Sequence, residues 1–404
     1  MASTTQTAAR RSFLADIQAT LRQNIREYGM FIALFVIMAI FTITTEGVFI
    51  SSRNLSNLLN QTGYIAVLAV GMTLIIVIRH IDLSVGFLAG FLGAVAAIAL
   101  VFWHLPVYLV IPLVLALGAV AGLITAFPVA HWGVPSFVAS LAGWLIYRGA
   151  ILLVTISTGT IIIPDAAFTA IGNGYIPDIP DIGILSGLHK LTLLLGLLAV
   201  VLFILGEIKT RRNKQAYNFE VLPMDIFVLK LALISALLFG VSWVLAGYNG
   251  LSWTVVIVLI VVGVYHFMTT QTVLGRHIYA IGGNPEAAEL SGISVKRLIY
   301  VVFGSMGMLS ALSGILFASR LQSATTTAGT LFELDAIAAA YVGGVSAAGG
   351  VGKVMGSIIG ALVMTSLTSG MNLMQIDISL QYIVRGAVLA AAVIFDVTTR
   401  SRGK

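Results

Sequence analysis

Between Leu83 and Tyr147 the chain reads LSVGFLAGFLGAVAAIALVFWHLPVYLVIPLVLALGAVAGLITAFPVAHWGVPSFVASLAGWLIY, 65 residues without an Asp, Glu, Lys or Arg. A helix crossing the hydrocarbon core of a bilayer takes about 20 apolar residues. This stretch therefore encodes about three spans. Pro106, Pro112, Pro128 and Pro135 punctuate it where turns are needed. A second uncharged stretch, from Leu231 to Gly275, is 45 residues long and breaks at Gly247, Asn249 and Gly250. It encodes two more spans.

Composition extends this reading to the whole chain. Of 404 residues, 9% are charged and 59% hydrophobic, where a soluble domain carries roughly 25% charged residues. Too few ionised side chains remain to build a water-exposed surface, so most of the exterior faces lipid. In lipid every span satisfies its own backbone hydrogen bonds. The expected fold class is all-α: a polytopic transmembrane helical bundle of about 10–12 spans. The absence of cysteine excludes disulfides, Cys-ligated zinc and thiol catalysis. The six histidines form no HxxxH or HExxH pair, so no metal site and no cofactor is expected.

Hydropathy and breaks place spans at 29–45, 57–78, 84–103, 107–127, 136–156, 190–206, 226–247, 251–268, 298–318, 335–348, 354–373 and 378–396, the short 335–348 segment reading also as a half-helix. Residues 1–28 read as a basic cytoplasmic segment leading into an uncleaved signal anchor, residues 29–396 as the transmembrane domain and residues 397–404 as a cytoplasmic tail. With both termini inside, 17 of the 22 Lys and Arg fall on the cytoplasmic side, as the positive-inside rule requires. That placement accounts for the net charge of +6 without nucleic acid. Glycines four apart, at Gly86 and Gly90, Gly118 and Gly122, and Gly352, Gly356 and Gly360, read as close helix packing. Asp82 ahead of one glycine-rich run and Gly349 ahead of another suggest a weak internal repeat.

Two inner loops are long. Loop 207–225, with Lys209, Arg211, Arg212 and Lys214, reads as a solvated basic loop facing anionic lipid. Loop 269–297 encodes more. Asn284 is a natural N-cap, Pro285 fits the first helical position, Glu286 suits a helix N-terminus and Gly292 ends the turn. The product is a helix of about two turns outside the membrane, whose Ala287, Ala288 and Leu290 present a small apolar face fit for a groove on another protein.

Here the chain resembles a known family. The segment from Gly275 to Ala288, GRHIYAIGGNPEAA, is similar to the coupling loop of ribose/xylose/arabinose-type permeases of ABC importers. Ile81–Gly86, IDLSVG, resembles the element after their second span, and Glu333–Ala339 followed by Val342-Gly343-Gly344 resembles a third signature. The xylose and multiple-monosaccharide branch is the nearest in pattern. Arg79-His80 stand where the family often carries Gly-Gly, and Ala347-Ala348 depart from its usual run after Val-Gly-Gly.

The resemblance implies a type II-like ABC permease in a bacterial inner membrane. Two copies, as a homodimer, form the pathway. A cytoplasmic ATPase grips Gly282, Gly283, Asn284, Pro285, Glu286, Ala287, Ala288, Glu289, Leu290 and Ser291 of each. A periplasmic sugar-binding protein delivers the sugar. Gly352-Lys353 is no P-loop, because Ala347 and Val354 stand where a glycine and a hydroxyl are needed. The chain is expected not to be an enzyme, with ATP hydrolysed by the partner. The other readings are an ABC permease for another small polar solute and a cation-coupled secondary transporter. The latter usually buries carboxylates along its path, whereas here nearly all stand at span ends or in loops.

A sugar pathway wants hydroxyls and amides. Asn57, Asn60, Gln61 and Thr62 qualify, as do Thr365, Thr368, Ser369 and Asn372, which share one helix face. Asp82 with Ser84, and Glu333 with Asp335, read as helix caps. Arg148 and Arg385 interrupt apolar spans and are expected to pair inside the bundle, Arg385 with Asp377 or Asp396.

Overall fold

The computed structural model describes residues 25–180, 183, 185–219 and 221–401. Most of the expected N-terminal segment and the last three residues of the tail lie outside that set. Fifteen helices follow in order among the described residues: α1 Ile25–Thr44, α2 Ser52–Val77, α3 Val85–Val101, α4 Val107–Trp132, α5 Ser136–Thr155, α6 Ala166–Asn173, α7 Lys190–Ala216, α8 Met224–Ala246, α9 Trp253–Gln271, α10 Val273–Gly283, α11 Pro285–Leu290, α12 Val295–Leu321, α13 Phe332–Val342, α14 Val354–Leu373 and α15 Ile378–Ser401. Nine of them are long and apolar enough to cross a membrane. The only strands among the described residues, β1 Ile161–Ile162 and β2 Ser323–Ala324, pair antiparallel, Ile161 with Ala324.

The protein is a multi-pass membrane protein whose interior is built on α2, α12 and α14. Helices α5, α7, α8 and α15 are peripheral and turn side chains such as Leu145, Leu202, Leu233 and Ile383 outward. Packing of the central helices depends on small residues. Gly307 of α12 lies against Gly118 and Gly122 of α4, and Gly314 lies against Ala89 and Gly93 of α3, so closely that a Cβ would strike backbone. Without a hydrophobic force between helices in lipid, such close approach supplies the attraction.

Two of the crossings are broken. Between α2 and α3 the chain runs extended through His80–Leu83 and is buried at Asp82 and Ser84. Its backbone groups find partners: the Ile81 amide donates to Ser136 Oγ at 3.1 Å, and Ser140 Oγ donates to the Ile81 carbonyl at 3.4 Å. Irregular backbone at membrane depth is tolerated only when buried in protein in this way. The second turn of α3 meets α12 at Gly314, 19 residues into that 27-residue helix. At 1.5 Å per residue, α3 therefore starts roughly half-way along α12. Helix α13 has eleven residues and runs from Gly86 of α3 towards the α2 C-terminus, where Gly350 donates to the Val77 carbonyl at 2.9 Å. So α3 and α13 are half-helices whose N-termini meet inside the bundle, Gly86 against Gly329 and Glu333.

The order long helix, non-helical break, shorter helix, long helix, outer helix thus occurs twice, as α2–α5 and as α12–α15, in opposite senses. Each unit packs on the other: α2 on α13 and α14, α12 on α3 and α4. The repeat suggested by the glycine runs does not hold as aligned. The partner of the Asp82 break is the segment ahead of Glu333, not Gly349.

Other elements also differ from expectation. Lys209, Arg211, Arg212 and Lys214 are not in a loop: α7 continues to Ala216, because long basic side chains favour helix and stay solvated beyond the apolar run. Loop 269–297 holds two helices. Thr272 caps the first, accepting from the Gly275 amide at 3.2 Å. Helix α6 is the short outer helix absent from the hydropathy reading, capped by Asp165, which accepts from the Phe168 amide at 2.8 Å.

Candidate functional site

Helix α11 projects from the face where α2 ends and α12 begins. Asn284 Oδ1 accepts from the Ala287 amide at 3.1 Å, Pro285 occupies the first helical position, and Glu286 stands beside the free amides. At the other end Gly292 adopts φ +84°, the Ile293 amide donates to the Ala288 carbonyl at 3.0 Å, and Gly292 donates to the Glu289 carbonyl at 2.9 Å. This is a Schellman-type stop closed by Ile293. Both ends are locked, so six residues hold a helix that would not persist alone in water.

Its outward face differs from the expected one. Ala288 is 5% exposed and packs into the protein's own core, while Leu290 is 91% exposed. Asn284, Glu286, Ala287, Glu289 and Ser291 are exposed with it. The helix therefore presents one large apolar side chain flanked by two carboxylates. The second alanine is an anchor because helical spacing turns it back toward the bundle.

Three chain segments hold this helix from behind. Arg79 stands immediately after the α2 C-cap in a left-handed conformation, φ +65°. Its Nε donates to the Gly282 carbonyl at 2.8 Å and its guanidinium also bonds the Gly283 carbonyl. These are the last carbonyls of α10, where a cation is electrostatically favoured. Gly282 packs against Val77 and Gly350 too closely for any side chain. Tyr279 donates from its hydroxyl to the Gly352 carbonyl at 2.6 Å, and burial pushes that hydroxyl above its usual value, keeping it a donor. The end of α2, the α10–α11 junction and the α13–α14 loop are thus tied together. Arg79, which sequence reading treated only as a departure from pattern, is the side chain that ties α2 to the α10–α11 junction.

Most of the polar residues inside the bundle take other roles than those expected. Ser84 donates from both N and Oγ to Asp82 Oδ1, at 2.9 and 2.6 Å, forming a turn just ahead of α3 without capping its amides. Glu333 and Asp335 do not cap α13. The N-cap is Leu331, at φ +66°, and it makes no side-chain bond. Glu333 instead accepts from Trp144 Nε1 at 3.0 Å, its Oε2 lying buried against Gly86 without a partner among the described residues. Asp335 pairs with Arg385. The expected partners of Arg385 are engaged elsewhere: Asp377 accepts from the Ser379 amide at 2.8 Å, and Asp396 accepts from Ser346 and Ala347. Neighbours in sequence lost to a residue on α13 because α15 packs across that helix. Arg148 pairs inside the bundle, donating to the Thr326 carbonyl at 2.7 Å over the Phe87 ring.

Among the eight pathway residues, Asn60 accepts from Ser252 Oγ at 2.5 Å. Thr62, Thr365 and Thr368 donate to carbonyls of their own helices, and Asn372 accepts from Gln381. Asn57, Gln61 and Ser369 make no side-chain hydrogen bond among the described residues. Asn57 and Gln61 share a half-buried face of α2; Ser369 is buried on α14.

Comparison with known proteins bears on this arrangement. Residues 54–393 match the family model described as branched-chain amino acid transport system / permease component. The chain is similar to the xylose transport system permease protein XylH of Haemophilus influenzae, 40% identical over 94% of this chain and 98% of the relative. XylH of Escherichia coli K12 is also 40% identical, over 94% of this chain and 93% of the relative. The ribose import permease protein RbsC of Haemophilus influenzae is 35% identical over 92% of this chain and 93% of the relative. No solved structure matches the chain.

Proposed function

We propose, because this chain belongs to the family of branched-chain amino acid transport system permease components, that it is the membrane subunit of an ATP-driven importer of monosaccharides, xylose foremost. Similarity to xylose and ribose permeases along nearly the whole chain supports the cargo. The observation that carries the energy source is α11: a doubly capped, outward helix with exposed Leu290, held by Arg79 to the ends of the transmembrane helices. Such a rigid handle suits a separate cytoplasmic ATPase, and the chain itself catalyses no hydrolysis.

In this reading the protein lies in a bacterial inner membrane with both termini in the cytoplasm. Residues 29–396 form the permease domain, and 269–297 is the coupling loop. Two copies enclose the pathway, and a periplasmic binding protein delivers the sugar. When the ATPase dimer closes on its nucleotide it pulls on α11. Differential contact with the two states of the bundle biases it between inward-open and outward-open forms. The inverted pair α2–α5 and α12–α15 supplies two bodies that rock past one another.

The test is uptake by cells with and without this subunit, using labelled xylose, ribose, glucose and leucine, after collapse of either the proton gradient or ATP. We expect subunit-dependent xylose uptake that survives loss of the gradient and ceases without ATP. Gradient-dependent uptake, or leucine as sole cargo, would overturn the reading.

A further inference from the structure

Three aromatic rings meet where α2, α12 and the start of α13 converge. Tyr64 stacks on Phe332 with centroids 5.0 Å apart, and Phe317 meets both edge-on, at 5.1 and 4.9 Å. Helical spacing puts Gln61 one turn from Tyr64 on the same face of α2, and Asp335 one turn from Phe332 on α13. Asp335 is paired with Arg385 of α15.

The cluster lies at the edge of the core: Phe332 is buried in it, and Tyr64 and Phe317 pack against it only partly buried. Gln61, Tyr64, Phe317, Asp335 and Arg385 are all half-buried, on helices of which α2 and α12 are otherwise largely enclosed. The Gln61 amide and the Tyr64 hydroxyl have no hydrogen-bond partner among the described residues. A buried unpaired amide costs about 1–3 kcal/mol, so an amide left unpaired here faces water or a ligand. Lipid would meet it with nothing to bond.

Together with the rings and the ion pair, these two groups form a recognisable set. An aromatic surface accepts the C–H face of a pyranose ring, while an amide, a phenol and a carboxylate–guanidinium pair accept and donate to its hydroxyls. The cluster also joins both inverted units, α2 from one and α12, α13 and α15 from the other. A molecule held there senses their relative position.

We propose that Gln61, Tyr64, Phe332 and the Asp335–Arg385 pair form a resting site for a monosaccharide in transit. This rests on the reading of the chain as a sugar permease. The site sets which sugars pass after the binding protein has released them.

The chain has no cysteine, so a single Gln61→Cys gives a clean probe. In proteoliposomes holding this chain, its ATPase and its binding protein, a membrane-impermeant maleimide will modify that thiol. Excess D-xylose will slow the labelling at least about threefold, and equal mannitol will not. In parallel, Gln61→Ala and Tyr64→Leu will lower D-xylose uptake about fivefold, the scale of one lost ring or amide contact. They will also shift the xylose-to-ribose uptake ratio by at least about threefold. A merely structural role lowers both sugars together, in step with the amount of assembled complex on gel filtration. Should Tyr64→Leu fail to assemble, Gln61→Ala carries the test, since it removes an amide without a partner. An unlabelled or unprotected thiol together with an unchanged ratio overturns the site while the wild type still transports sugar. A wild type that carries no sugar overturns the cargo reading and the site with it.

Discussion

A single position on α11 separates anchoring from docking. Ala287 and Ala288 are adjacent and chemically identical, yet one faces water and the other is buried. The substitution pair Glu286→Lys with Leu290→Arg changes only exposed side chains. It will abolish uptake and copurification of the ATPase while shifting the stability of the isolated chain by less than about 0.5 kcal/mol. Ala288→Arg, which forces a charge into the core, will cost about 3 kcal/mol or more and will show as a lower melting midpoint. Thermal unfolding and pull-down of the same preparations check both outcomes. The capping residues Asn284, Pro285 and Gly292 could be read from sequence because caps are local chemistry. Which alanine faced inward could not, since that depends on what lies beneath the helix. Arg385 makes the same point: sequence separation favoured Asp377 and Asp396, and packing chose Asp335.

Among elements, the close helix crossings decide the architecture. Gly307 has backbone of Gly118 and Gly122 where a side chain would stand, while Gly263 of α9 has open space. Gly307→Ala will therefore destabilise the protein by about 1–3 kcal/mol through overpacking. Gly263→Ala will be neutral or stabilise by up to about 1 kcal/mol through helix propensity. Equal effects on thermal midpoint in detergent would remove α12·α4 packing as the central contact. Both glycines lie in apolar helices and look alike in sequence; spacing of four identified the Gly118 and Gly122 pair but not the residue they meet. Half-helix α13 was foreshadowed by the shortness of its apolar run. The half-helix nature of α3 was hidden, because the buried extended segment ahead of it is as uncharged as a helix except for Asp82.

At the scale of the whole molecule, the assembly we propose holds two copies of the chain. Helices α5 and α15 are among the least buried spans, and α15 carries Asp335-bound Arg385 on a largely exposed helix. The purified chain in nanodiscs will show the mass of two copies and will hydrolyse no ATP until the ATPase subunit is added. A single copy, or hydrolysis by the chain alone, contradicts the assembly proposed here. Sequence alone determined that this is a bundle of membrane helices, with a capped helix outside it and a sugar-permease pattern, because charge depletion, caps and contiguous motifs are properties of neighbouring residues. Only the tertiary structure decided the inverted pairing of α2–α5 with α12–α15, the meeting of two half-helices at Gly86 and Gly329, and the partners of Arg79, Glu333 and Arg385. Each of those joins residues far apart in the chain, and in a lipid-like interior nearly uniform in polarity no local pattern records which distant helix lies alongside.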